Sequence, residues 1–356
     1  MIVKRDRQNL TERVLKTVRN YGMIKPGSIV LAAVSGGPDS VFLLHTLNAL
    51  KRKLKLKELI VCNLDHGLRG AESAEDSLFV GRLAKELGLK IIYKNIDLLK
   101  ERSKELSPEE MAREARYNFF RDAAKETKAD IIATGHTLDD QAETILMRII
   151  KGSSLKGIVG ISPVREERSL SFVRPLIELE KEEIIRYLDG DGIPYRIDSS
   201  NLSSKYFRNL VRKEVIPFLE RYNPRLKRVL FNLAEHLRED FEFIAGEKAK
   251  SRSGISARPD GSVEICLKDI VVQPKALQKE VLRDLLEKAG GSVKKLSFRH
   301  WKEMEGLIRD RHKGNSVDLP GGVRIMRTDK ALVLGRPSLC SGWGQCEIDS
   351  VRDLGT

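Results

Sequence analysis

The sequence predicts an α/β fold: a doubly wound parallel sheet, then a helical linker region, then a small α+β C-terminal domain. Three observations carry this. Four short apolar runs in the first half alternate with helix-length segments, the signature of strand–helix–strand units. The unusual polar clusters of that half, at 35–40, 65–69 and 135–143, directly follow apolar runs, at the sheet edge where such folds bind ligands. Past residue 200 the texture turns helical and basic, and then to short strands.

The first run, "SIVLAAV" (28–34), is continuously apolar, as a strand buried on both faces should be. A glycine turn follows, then "DSVFLLHTLNALKRK", where Val41, Leu44 and Leu47 keep helical spacing. "LIVCNL" (59–64) is the second strand, and "AEDSLFVGRLAKELG" (74–88) is a helix stopped by Gly88. "LKIIYKNI" (89–96) is the third strand, followed by a helix from Pro108 to about Lys125. "ADIIATGH" (129–136) is the fourth, followed by a helix from about Asp139 to Ile150. Later, "SARPDGSVEICL" reads as a hairpin on an Asp-Gly turn. Helices at about 275–289 and 297–310 lead to strands around "DLPGGVRIMRTDKALVLG". The expected divisions are 1–204, 205–250, 251–336 and an aperiodic tail, 337–356.

Composition narrows the partners. The 356 residues carry a net charge of +13, which points to a polyanion such as nucleic acid. No apolar run is long enough for a membrane span, and "MIVKRDRQNL" lacks the apolar centre of a signal peptide. The four cysteines, Cys62, Cys266, Cys340 and Cys346, form no Cys-x-x-Cys pair, so a cytoplasmic protein without a disulfide framework or zinc site is expected.

The turn "SGGPDS" spans Ser35, Gly36, Gly37, Pro38, Asp39 and Ser40. Its glycines admit close approach of backbone amides, and a helix start favours an anion. Asp39 would repel a phosphate unless a cation lies between them, so a magnesium-bound phosphate chain reconciles the set, with Asp39 facing Mg2+. Asp65 and His66 stand at the next strand end, with Arg69 near them. Arg113 and Arg116 share a helix face, and Asp139, Asp140 and Glu143 follow His136 at helical spacings. That acidic patch suits a metal or a cationic amine.

The ordered string Ser-Gly-Gly-x-Asp-Ser after a buried strand resembles the loop of the PP-loop ATPases, of adenine nucleotide alpha hydrolase-like fold. Together with "DHGLR", "ARxxRY" (Ala112–Tyr117), "GHTLDDQAET" and "RNLVR" (208–212), it resembles the tRNA(Ile)-lysidine synthetase family from about 25 to 335. The resemblance implies ATP-dependent adenylation of the wobble cytosine of a CAU-anticodon tRNA(Ile), then displacement of AMP by free L-lysine. It implies ATP with Mg2+ as substrate and no tightly bound cofactor. The loop residues with Asp65 and His66 would bind ATP. Arg116 would stabilise developing charge, and Asp140, Glu143 and Asp139 would hold lysine. Asp140, Glu143 or His136 would serve as base.

Between Lys205 and Arg228 lie eight Lys or Arg and two Glu. Phe207, Leu210, Val211, Val215 and Phe218 read as a buried stripe, leaving Lys205, Arg208, Arg212 and Lys213, with Arg113, to contact tRNA phosphates. The longest family members carry a further C-terminal domain, which is not expected here, and a homodimer is carried as a possible assembly. A tRNA thiolase of similar fold would need reactive cysteines, and solitary Cys62 reads as a packed one. A non-catalytic RNA-binding protein would need no intact loop.

Overall fold

The computed structural model describes residues 2–65, 71–96, 108–197, 207–250, 254–309 and 314–337. The chain divides into two compact units, Met1–Leu237 and Arg238–Thr356.

The first unit runs α1 (Ile2–Asn20), β1 (Ile29–Ala33), α2 (Pro38–Leu50), β2 (Glu58–Asp65), α3 (Ala71–Glu86), β3 (Lys90–Asn95), α4 (Pro108–Thr127) and β4 (Ile131–Ala133). It continues with α5 (Leu138–Ile150), α6 (Leu155–Ile158), β5 (Val164–Glu167), β6 (Leu170–Val173), α7 (Lys181–Asp191), α8 (Phe207–Leu210), a π-helical turn (Val211–Val215) and α9 (Ile216–Glu220), and the boundary between the units falls within α10 (Leu226–Lys250). The strand order is β3-β2-β1-β4-β6-β5, parallel throughout except for the β5–β6 hairpin.

Alternation along the strands explains the two-faced packing. Val30 and Ala32 of β1 meet Val41, Leu44 and Leu47 of α2 and Ile184 and Leu188 of α7 on one face. Leu31 turns the other way, with Ile60, Cys62 and Ile132, onto Phe119 and Phe120 of α4. Central strands buried on both sides must be apolar throughout, as β1 and β2 are. At the edge, β3 is exposed along most of its length. Chain direction across the sheet reverses between β1 and β4, so the open crevice lies at their carboxyl ends.

The sequence did not signal the β5–β6 hairpin. "VREE" is a charged four-residue edge strand, and its turn places Arg168 at φ +57°. Another departure follows Leu210. The amide of Ile216 donates to the Val211 carbonyl, a π bond. The extra residue per turn leaves room where Pro217 lacks an N–H and its ring would clash in an α-helix. It also shifts the helical phase. Val211 and Ile216 are buried, whereas Leu210 and Phe218, expected in the buried stripe, are exposed.

The second unit forms a five-stranded antiparallel sheet, β7-β8-β11-β10-β9, from β7 (Ile255–Ala257), β8 (Val263–Cys266), β9 (Ser316–Leu319), β10 (Val323–Arg327) and β11 (Ala331–Gly335). Against it pack α11 (Leu267–Val271), α12 (Lys275–Lys288) and α13 (Phe298–Arg309), through Ile270, Leu285, Leu286 and Met304. The hairpin on Asp260–Gly261 is as expected. Trp301 packs against this core, whereas Phe298 is 72% exposed. The Cys340/Cys346 tail lies outside the described residues. Among the described residues, no helix is long and apolar enough to cross a membrane.

Candidate active site

Two glycine turns meet at the carboxyl edge of the sheet. The first joins β1 to α2. Gly36 sits at φ +90°, a conformation other residues rarely adopt, and its carbonyl accepts from the Arg196 amide. The Ser40 hydroxyl donates to the Gly37 carbonyl (2.9 Å) and accepts from the Ser35 amide (3.2 Å), closing the turn. Among the described residues, the amides of Gly36, Gly37 and Asp39 have no acceptor, the ordinary state of a helix start and a ready anion cradle. The second turn joins β4 to α5. A Cβ on Gly135 would lie 3.1 Å from the backbone carbon and oxygen of Asp39, so glycine there is what lets the two turns touch.

Between them opens a cavity of about 530 Å³. The ATP-site candidates Ser35, Gly37, Asp39, Ser40 and Asp65 line it; Asp65 is buried and accepts from Tyr93 and Asn95, both at 3.3 Å. Arg113 and Arg116 of α4 stand at its exposed rim. His66 and Arg69 of the next loop, and Lys205 of the basic segment, lie outside the described residues.

Asp39 is the electrostatic anomaly. Its Oδ2 pairs with Lys181 (3.3 Å), while its Oδ1 is buried without a hydrogen-bond partner. Burial pushes the carboxyl up to about 6, with Lys181 opposing and Asp140 and Asp139 adding to the rise. An orphaned carboxylate oxygen beside an amide cradle fits a cation held between protein and phosphate. Among the described residues no group of three His, Cys, Asp or Glu converges on a metal, so such an ion would need ligands from its substrate.

The acidic residues of α5 part company. Asp140 closes a capping box: its Oδ2 accepts from the Thr137 amide (2.9 Å) and hydroxyl (3.1 Å). Its Oδ1 pairs with Arg208 (2.7 Å). Burial alone would raise this carboxyl, but His136, Arg208 and the Thr137 amide outweigh it and hold it below the usual range. Glu143, fully buried, pairs with Arg208 (2.6 Å) and with Arg212. Asp139 turns away, pairing with Lys227 (2.8 Å) and accepting from the Lys181 amide (2.7 Å). The expected three-carboxylate patch is therefore two carboxylates, and both are neutralised. The reason is that adjacent residues point about 100° apart on a helix, and the capping role fixes Asp140 on the Glu143 face. Likewise Arg208 and Arg212, expected on an open phosphate-tracking face, line the cavity against these acids; Lys213 is exposed.

His136 bonds Thr134 (2.8 Å), and burial drives its imidazole down to about 4 against the pull of Asp140, so it is neutral at physiological pH. Cys62 also lines the cavity, but burial pushes its thiol up to about 12. Lys181 is the member that sequence reasoning missed. Its only local signal is the capping box Glu180–Glu183 that starts α7. Also unforeseen is a surface pair at Phe218 and Tyr222, 52% and 78% exposed and edge-to-face at 5.6 Å. Arg221 and Arg225 beside it lack a carboxylate partner among the described residues.

Comparison with known proteins adds names to this geometry. A family model described as a PP-loop domain matches residues 7–219, and one described as the TilS substrate binding domain matches 256–332. A tRNA(Ile)-lysidine synthase of Clostridioides difficile (strain 630) is 33% identical over 91% of this chain and 70% of its own length. One of Geobacter sulfurreducens is 35% identical, covering 93% and 72%. For one of Clostridium perfringens (strain 13 / Type A), at 33%, the shares are 88% and 66%. Among solved structures, the U34-tRNA thiolase NcsA from Methanococcus maripaludis aligns with a TM-score of 0.57 at 21% identity, over 65% of this chain and 78% of that one. That likeness is one of fold.

Proposed function

The chain belongs to the tRNA(Ile)-lysidine synthase family, and on that footing we propose that it joins free L-lysine to carbon 2 of the wobble cytidine of a CAU-anticodon tRNA(Ile). ATP is consumed, and AMP and pyrophosphate are released. The observation that carries this reading is the cavity itself. An unpaired amide cradle occupies one wall, and an Asp140–Glu143–Arg208–Arg212 cluster the other.

The cytidine O2 attacks the α-phosphorus of ATP, and the bond to pyrophosphate breaks. Charge gathering on the phosphates is met by the loop amides, the Ser35 and Ser40 hydroxyls, and Arg116, with Arg113 second. Asp39 would hold a magnesium ion, which when bound would supply further charge neutralisation. A lysine amine then attacks carbon 2, AMP leaves, and the amine's proton must go to the enzyme or water. Lysine presents both a carboxylate and ammonium groups, so its site needs both signs of charge. Asp140 suits an ammonium and Arg208 or Arg212 the carboxylate, each exchanging part of its present pairing for substrate. Asp140 and His136 are both held weakly basic, Asp140 by its cationic partners and His136 by burial, so the proton passes to water.

For tRNA we assign the exposed Phe218–Tyr222 pair with Arg221, Arg225 and Lys213. Aromatic faces stack on unpaired bases while flanking cations meet phosphates. Phe218→Ala with Tyr222→Ala is expected to weaken tRNA binding by roughly tenfold or more at fixed salt, with ATP binding unchanged. Filter binding reads the first and nucleotide titration the second; unaltered tRNA affinity would remove the patch from the interface. Cys62, with its raised thiol, is a poor sulfur nucleophile, which favours ligation over thiolation. The overall reaction is tested by AMP and pyrophosphate release, expected to require lysine and CAU-anticodon tRNA together for sustained turnover. Turnover with a sulfur donor in place of lysine would refute it.

A further inference from the structure

Lys181 is unclaimed by the ATP loop's own sequence, yet it enters the same cavity. Its Nζ lies 3.3 Å from Asp39 Oδ2, and it comes from a segment 142 positions away in the chain. The loop contains no lysine. A triphosphate bound through backbone amides and hydroxyls still carries several negative charges, and Asp39 adds one more. A further cation at that point offsets charge that the amides and hydroxyls leave uncompensated.

The placement of Lys181 is also unusually controlled. It is the first residue of α7, whose capping box joins Glu180 and Glu183. Its amide donates to Asp139 Oδ2 (2.7 Å), and the Leu138 amide donates to the Leu179 carbonyl (2.8 Å). Two bonds thus staple the start of α7 to the start of α5. The other Asp139 oxygen is held by Lys227 (2.8 Å), so the staple is itself braced. The side chain that results is about one-third exposed, toward the cavity, and satisfies only one of the Asp39 oxygens.

Resting on the ATP reading above, we propose that Lys181 completes a pyrophosphate subsite with the Gly36–Gly37 amides, and that Asp139 is the positioning residue for it. In the unliganded protein Lys181 rests on Asp39. With substrate bound it moves to the β- and γ-phosphoryl oxygens and remains on pyrophosphate after the α-phosphorus bond breaks.

The test is calorimetric titration of the full chain with magnesium pyrophosphate, with magnesium ATP and with AMP. Lys181→Ala is expected to weaken pyrophosphate and ATP binding by roughly 10- to 100-fold, the loss of a charge-assisted contact. AMP affinity should stay within about twofold, because AMP lacks the phosphates concerned. Lys181→Arg should restore most of the loss. Asp139→Asn should weaken pyrophosphate binding in the same direction but less. Should Lys181→Ala bind pyrophosphate like the parent protein, the subsite is wrong, and unchanged binding by Asp139→Asn would overturn the positioning role. If the parent protein binds neither ATP nor pyrophosphate, the ATP reading fails with it. Thermal unfolding of each variant separates these results from misfolding.

Discussion

Glu143→Ala is expected to lower stability by about 3 kcal/mol and to remove lysine-dependent turnover. Glu143 is fully buried and receives both Arg208 and Arg212. Removing it takes away the buried counter-charge that the Arg208 and Arg212 guanidinium groups share. Breaking a buried ion pair from one side costs about 3–5 kcal/mol, and the lower figure applies because both arginines keep some contact with water. Turnover is expected to fail because Arg208 and Arg212 lose the acid that orients them for the proposed lysine contact. Glu143→Gln keeps the shape and should lose less stability but nearly as much turnover. Urea unfolding and lysine-dependent AMP release measure the two effects. An alanine variant as stable as the parent would show that the cluster is not the internal anchor described.

Asp39→Asn is expected to do the reverse to stability. The folded carboxyl titrates at about 6, against 3.8 for an ordinary aspartate. Between those values the folded chain keeps a proton that the unfolded chain has released, so stability falls as pH rises from about 4 to 6. Above pH 6 the penalty is constant, on the order of 2–3 kcal/mol for a shift of that size. Asparagine escapes it, so the variant should be more stable by about that amount near pH 7.5 and little changed near pH 4. It should also lose nearly all ATP-dependent turnover. Chemical denaturation across pH 4–8, without nucleotide, makes the measurement. Equal stability of variant and parent at pH 7.5 would contradict the burial cost assigned to Asp39. On the proposed reading the arrangement exchanges stability for function, since a buried, half-paired carboxylate costs stability that a bound cation would return.

What could be read in the sequence was whatever has a short-range cause. Buried parallel strands must be apolar throughout, so β1 and β2 were visible as runs. The loop was visible because Gly36 and the residues around it sit within six positions. The β5–β6 hairpin was not, since a charged four-residue edge strand carries no periodicity. Helical spacing put Phe218 in a buried stripe, and the π turn ahead of Pro217 rotated it into solvent. Spacing alone also allowed Asp139 or Asp140 to join Glu143. Only the Thr137 cap and the distant Arg208 decide between them. Lys181 is the extreme case, since nothing near Asp39 in the chain announces it.

Mass analysis of the nucleosides of a CAU-anticodon tRNA(Ile), after incubation with the protein, ATP, magnesium and L-lysine, shows whether lysine is joined to the base. A single cytidine at the wobble position, heavier by one lysine less water and formed only when ATP is present, is the expected product. An unmodified wobble cytidine, or one carrying sulfur in place of lysine, would contradict it.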